Sequence, residues 1–227
     1  MIKRITRFRL PKKVPFHAVV LTVAGLIVIV FAFVMEARAN REDATISAVY
    51  TLTVQAEIES LDWIDQELLP ISGFSRPGFP LEQVNGIVIH NIGNPGTTAT
   101  QNRNFFANIE AAGGTPLSSQ FIICLDGRIV QCVPVDEVAF ASNHRNDDTL
   151  SIEVCHPDDT GRFTDESYAA TIRLTAWLCK QFGLTSDDVL RHHDVLSTTD
   201  CPRYFVSNPD AWERFKSDVQ RAIGELG

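Results

Sequence analysis

The stretch GIVIH, residues 86–90, is a glycine followed by three β-branched apolar residues and a histidine. A short apolar run bounded by turn residues reads as a buried strand, so its last side chain, His90, is delivered to the rim of a sheet. Working outward, NPGTTATQNRNFFANIEA, residues 94–111, is a turn followed by a helix. FIICLDGRIVQC, residues 121–132, reads as two strands around Asp126-Gly127, a strong hairpin signal, and TLSIEVC, residues 149–155, as another strand. Thr164 then caps a helix with Asp165 and Glu166 in its first turn, Phe163 placed to staple onto Tyr168, an apolar face through Tyr168, Ile172, Ala176 and Cys179, and Gly183 as its stop. DDVLRHHDV, residues 187–195, reads as a short strand, and a last helix starts near Asn208-Pro209 and carries Trp212, Phe215, Val219 and Ile223. Strands interleaved with helices predict an α/β domain with a central mixed sheet flanked by helices, its chemistry at converging strand ends.

The chain has 227 residues and a formal net charge of -8. Six of its twenty Lys and Arg lie in the first thirteen residues, which hold no acid; beyond them fourteen face twenty-eight Asp and Glu, a net of -14. That balance excludes a nucleic-acid-binding body and electrostatic adhesion to anionic wall polymers. Residues 14–35, VPFHAVVLTVAGLIVIVFAFVM, carry no Lys, Arg, Asp or Glu, and about 20 such residues suffice to cross a bilayer. The expected organisation is a basic cytoplasmic segment (1–13), a transmembrane anchor (14–35), a stalk (36–70) containing one short amphipathic helix, and a catalytic domain (71–227). By the positive-inside rule the N-terminus is cytoplasmic and the body outside. The alternative is secretion after cleavage near Ala39, where Ala37-Arg38-Ala39 offers small residues to a signal peptidase. The stalk helix is too short to argue a coiled coil, and oligomeric state is not legible.

Export permits disulfides, and there are five cysteines. In a two-residue turn Cys124 faces Ile129 and Cys132 faces Phe121, so these two are not expected to bond. Cys155 and Cys179 read as buried thiols, and the odd total leaves Cys201 available to a metal.

RHHDVLSTTDCP, residues 191–202, gathers two of the six histidines with an aspartate and Cys201. One histidine of this pair, Cys201 and His90 make an N, N, S donor set with a fourth tetrahedral position left for water, the arrangement of a catalytic zinc. Glu153 lies inside the apolar strand TLSIEVC, where burial is costly and a role in the site is the better reading.

GIVIH, SIEVCH and RHHDV followed by CP, in this order and spacing, resemble the zinc N-acetylmuramoyl-L-alanine amidases of the second amidase type, relatives of phage lysozyme-like amidases and peptidoglycan recognition proteins. The likeness covers about residues 70–220, and IVIHNIGNPGTT, FIICLDGRIVQCVP and SIEVCHPD are similar to Firmicute members. It implies Zn2+ held by His90, His192 and Cys201, with His192 preferred over His193 because the family ligand stands two before the acidic residue, here Asp194. In a strand only one of two adjacent histidines faces the metal, so His193 packs away and Asp194 supports the ligands from the His192 side. The resemblance makes Glu153 the residue that activates a water. Thr199 stands where phage-type relatives carry an oxyanion-stabilising lysine, and Ser119, a candidate substrate contact, where they carry a tyrosine. His144 lies near a family cleft histidine; Asn94, Asn143 and Arg145 are further cleft candidates.

The activity implied is hydrolysis of the amide between N-acetylmuramic acid and the L-alanine of the stem peptide in peptidoglycan. The alternative is a peptidoglycan-binding module without turnover, and a third reading makes the zinc structural. Cys201 argues against the first, because binding-only relatives usually lose it; Glu153 and the open fourth position argue against the second.

Overall fold

The computed structural model describes residues 16–226, with the side chains of 16–32 and 34 outside that description. The basic segment expected at 1–13 lies outside the described residues, as does most of what bears on the anchor expected over 14–35. Among the described residues no helix is long and apolar enough to cross a membrane. The described residues divide into two units, one ending at Asp43 and one beginning at Ala44. Helix α1 (Phe16–Ile58) begins in the first and ends in the second.

The second unit is built on six strands: β1 (Ile64–Gln66), β2 (Ile87–Asn91), β3 (Phe121–Ile123), β4 (Ile129–Gln131), β5 (Leu150–Val154) and β6 (Val189–Arg191), in the order β1-β4-β3-β5-β2-β6. All neighbours are parallel except the β3–β4 hairpin. This is the mixed sheet expected from the sequence. Side chains alternate across it. Ile87, Ile89, Phe121, Ile123 and Ile152 join one core with Leu174 and Leu178 of α3 (Asp165–Phe182) and Trp212, Phe215 and Val219 of α6 (Pro209–Glu225). On the opposite face Ile122 and Val130 pack with Phe106 of α2 (Ala99–Asn108), Cys132 and Cys155.

Both predicted caps of α3 form: Thr164 Oγ1 accepts from the Ser167 N–H at 3.0 Å, and Gly183 closes the helix at φ +66°. Of the expected apolar face, Ala176 and Cys179 are fully buried, and the rest of the buried face differs from the one expected. Ser167, Thr171, Leu174 and Leu178 turn to the sheet, while Tyr168 and Ile172 flank the core half-buried. Thr171 can be buried because its hydroxyl donates to the Ser167 carbonyl at 2.6 Å.

Two expectations are corrected. The hairpin register is shifted by one: Phe121 pairs with Gln131 and Ile123 with Ile129, so Cys124 faces Arg128 and Cys132 faces Gln120. The Gly127 N–H donates to the Cys124 carbonyl and Gly127 has φ +83°, a turn followed by a left-handed glycine, the three-residue loop rather than the two-residue one. All five cysteines are free thiols. The stalk boundary also moves. Val54, Ile58 and Ile64 are buried in the main core, β1 pairs with β4, and the Val135 N–H donates to Gln55 Oε1 at 3.0 Å. From Ala44 onward the segment expected as stalk is therefore part of the body; its strand, IDQ, buries only Ile64 and is too short to show a period.

Candidate metal centre

Three adjacent parallel strands, β5, β2 and β6, bring the candidate residues together. Parallel pairing puts His90 beside Glu153 in register, so both side chains leave the sheet on one face near the strand C-termini. That is where open α/β sheets hold their ligands. β6 stops at Arg191, and the chain turns at once into α4 (His192–Val195). This corrects the strand expected over 187–195. The helical turn is fixed by Asp194, whose carboxylate accepts from the Arg191 N–H at 2.8 Å and pairs with the Arg191 guanidinium at 2.6 Å. Asp194 thus shapes the turn that presents His192, by capping it, rather than touching His192 itself.

His192 and His193 separate by helical rather than strand geometry. His192 meets His90, ring centroids 4.6 Å apart. His193 turns to the loop beyond α4: its Nδ1 lies 2.7 Å from the Thr199 carbonyl, and its N–H donates to the Cys201 carbonyl at 2.8 Å. On the far side of Cys201 the Arg203 N–H donates to Asn91 Oδ1 at 2.7 Å. Cys201 is held between these two anchors, its Sγ 3.8 Å from His90 Nδ1.

One donor atom from each of His90, His192 and Cys201 lies within 4.8 Å of the others. Zinc bonds of about 2.0–2.1 Å to nitrogen and 2.3 Å to sulfur space tetrahedral N and S donors about 3.5 Å apart, close to the 3.8 Å observed. Burial holds the His90 imidazole well below its usual pKa, with His192 adding to the effect, and burial also lowers His192. Both rings are therefore neutral at pH 7 with a lone pair to offer. Burial, reinforced by Glu153, pushes the Cys201 thiol up to about 12, so a metal must displace its proton. Glu153 is pushed up to about 8 by burial, and its Oε2 is buried with no hydrogen-bond partner. A carboxylate oxygen left unsatisfied beside an N, N, S donor set fits a metal with one coordination position open to water.

Other candidates are placed differently. Ser119 is fully buried, its hydroxyl between the Phe121 and Ser151 carbonyls at 2.9 Å each, and cannot line a cleft. That corrects its assignment to substrate: its two carbonyl partners stitch β3 to β5. Asn94 is exposed on the loop after β2 and its carbonyl accepts from Thr97 Oγ1. His144 is exposed in the short turn Asn143–Arg145. Neither side chain is hydrogen-bonded to the donor set among the described residues. Thr199 is half-buried and uses its carbonyl, not its hydroxyl, toward His193. Ser142 was not singled out by the sequence, yet its Oγ lies 3.3 Å from His90 Nε2; Asn143, named only as a cleft candidate, has its Oδ1 2.6 Å from His192 Nε2.

A family model described as N-acetylmuramoyl-L-alanine amidase matches residues 80–204. The chain is 27% identical over 171 residues to N-acetylmuramoyl-L-alanine amidase CwlL of Bacillus licheniformis, covering 70% of this chain and 47% of that protein. It is 27% identical over 173 residues to N-acetylmuramoyl-L-alanine amidase BlyA of Bacillus subtilis, covering 67% and 45%. The chain thus spans about half the length of the curated relatives it matches. Among solved structures, a mutant endolysin from Bacillus subtilis shares the fold at TM-score 0.58 and 23% identity, over 69% of this chain and 97% of the other. PlyL does so at TM-score 0.60 and 19% identity, over 70% and 98%. Because the family match extends over more than half of its residues, the chain belongs to the N-acetylmuramoyl-L-alanine amidase family.

Proposed function

We propose that this protein is a zinc-dependent peptidoglycan hydrolase that cuts the amide between N-acetylmuramic acid and the L-alanine of the stem peptide. The observation that carries this reading is the convergence of His90, His192, Cys201 and the unsatisfied Glu153 carboxylate at neighbouring strand ends, in a chain of this family. Zinc held by the three donors supplies Lewis acidity and lowers the pKa of a water toward neutrality.

The protein's own groups do the rest. His90 and His192 offer neutral nitrogens, and Cys201 gives up its proton to become the single anionic ligand, leaving the centre net positive. Burial raises the Glu153 carboxyl above the usual carboxylate range in the metal-free site, a zinc cation beside it would lower it again, and the group would then both take and return a proton. It takes the proton of the attacking water at its unsatisfied oxygen and hands it to the departing L-alanine nitrogen. Thr199, together with backbone N–H groups, is the candidate for the oxyanion, and His144 and Asn94 for substrate contacts at the rim.

The reading extends to placement. The uncharged run from Val14 to Met35 behind a basic segment supports a single-pass anchor with the N-terminus cytoplasmic and the amidase domain outside, within reach of the wall; release by cleavage near Ala39 is the alternative. The test is digestion of purified peptidoglycan by the full chain, read by mass spectrometry with and without a zinc chelator. Free L-alanine amino termini on intact glycan strands, lost on chelation and in Cys201→Ser and Glu153→Gln, are expected. Bound but uncut peptidoglycan would move the protein to the binding class.

A further inference from the structure

Two consecutive residues face the two candidate histidine ligands. Ser142 Oγ lies 3.3 Å from His90 Nε2, and Asn143 Oδ1 lies 2.6 Å from His192 Nε2. His90 turns its other nitrogen, Nδ1, to Cys201 Sγ. With Nε2 engaged in both rings, Nδ1 is the nitrogen each has left for a metal. A neutral imidazole carries a single N–H, and the partner of one nitrogen decides which nitrogen keeps the lone pair. An amide oxygen on Nε2 can only accept, so it fixes the proton there and the lone pair on Nδ1. A hydroxyl on the second ring is able to do the same.

The segment that carries this pair is built to hold it. Asn143 has φ +54° and is the one non-glycine residue with positive φ among the described residues. Such a conformation costs energy and persists where the surroundings dictate it. Here Asn146 Oδ1 accepts from the Ala141 and Ser142 N–H groups at 3.0 and 2.6 Å, and the Arg145 N–H donates to the Ser142 carbonyl at 2.9 Å. The Arg145 guanidinium pairs with Asp148 at 2.7 Å, and Thr149 Oγ1 donates to the Arg145 carbonyl, tying the turn to the start of β5. Ser142 is 2% exposed, so water does not compete freely for its hydroxyl.

We propose that Ser142 and Asn143 are a paired positioning element that locks His90 and His192 in the tautomer ligating through Nδ1 and thereby sets the affinity for zinc. This rests on the zinc reading above. The full chain is compared with Asn143→Gly, Asn143→Asp and Ser142→Ala by competition with a chromophoric chelator for zinc across pH, and by the visible spectrum of the cobalt-substituted proteins. Asn143→Gly removes the acceptor while relieving the positive φ, so unfolding of the metal-free variant reports any loss of fold separately.

Asn143→Gly is expected to weaken zinc binding by about 10- to 100-fold and to change the cobalt spectrum, with metal-free stability kept. Asn143→Asp, which retains an acceptor, is expected to bind at least as tightly as the parent. Ser142→Ala should weaken binding, and the double variant Ser142→Ala/Asn143→Gly more than either. A parent that binds zinc, with Asn143→Gly matching it within twofold and showing the same cobalt spectrum, overturns the positioning role. A parent that takes up no zinc overturns the metal reading itself, and this inference with it.

Discussion

Glu153 carries a conflict that its strand does not relieve: a carboxyl group only 8% exposed, with one oxygen unpartnered. Its pKa rises from an ordinary 4.5 to about 8 through burial. In the unfolded chain the proton leaves near 4.5, so between the two values the folded state binds more protons. Stability from this group is complete below about pH 4.5 and is lost as pH rises toward 8. Glu153→Gln removes the titration. In metal-free protein, urea unfolding should show the parent losing stability relative to the variant by up to about 1.4 kcal/mol per pH unit across that window; a difference flat with pH would mean the carboxyl group is not buried as described. At Cys201 the sign is opposite for the metal. With the thiol near 12, each unit of rising pH from 6 to 9 should tighten zinc binding about tenfold, and Cys201→Ser should abolish both that slope and the rise in melting temperature on adding zinc.

The β3–β4 hairpin and α3 lock together at their tips. Thr164 Oγ1 donates to the Leu125 carbonyl at 2.6 Å while accepting from the Ser167 N–H. A Cβ on Gly127 would sit 2.9 Å from the Glu166 carbonyl oxygen. Thr164→Ala should therefore cost about 1–2 kcal/mol through the lost cap. Gly127→Ala should cost more than the roughly 1–2 kcal/mol of a left-handed alanine, because the new methyl also meets backbone; denaturant unfolding measures both. What could be read from sequence divides along the same line of local against distant causes. The strand GIVIH, the caps of α3 and the start of α6 are written in neighbouring residues and form where expected. The hairpin register is not, since Asp-Gly serves two loop lengths one residue apart. Nor is α4, where a capping carboxylate at Asp194 converts an apparent strand into a turn. At the site, His90, Glu153 and Cys201 declare themselves by residue type and setting, whereas His192 is told from His193 only through the family resemblance. Asn143 meets His192 across 49 residues of chain, and no local pattern announces that contact. Ser119 misled for a related reason: a serine shows nothing in sequence of the two carbonyls it satisfies.

For the whole molecule the question is where the folding unit begins. The polar opening of residues 36–70 suggests a tether ending near 70, but the packing says otherwise. Val54 and Ile58 sit at 2% and 0% exposure in the main core. Gln55 accepts from the Gln131 side chain at 2.7 Å and from the Val135 N–H, and β1 covers the edge of β4 through Ile64 and Ile129. A chain starting at residue 71 loses all of these at once. Each orphaned buried polar group costs about 1–3 kcal/mol, and each missing Val or Ile forfeits about 1.5–3 kcal/mol of burial. Against a total stability of about 5–15 kcal/mol for a domain, that loss removes most or all of the margin. It also bares the β4 edge to pairing with other chains. Residues 44–227 should unfold cooperatively, whereas 71–227 should be largely unfolded or more associated than 44–227, as read by circular dichroism and size-exclusion chromatography. Equal unfolding midpoints for the two would show that α1 and β1 only decorate the sheet, and would return the domain boundary to residue 71.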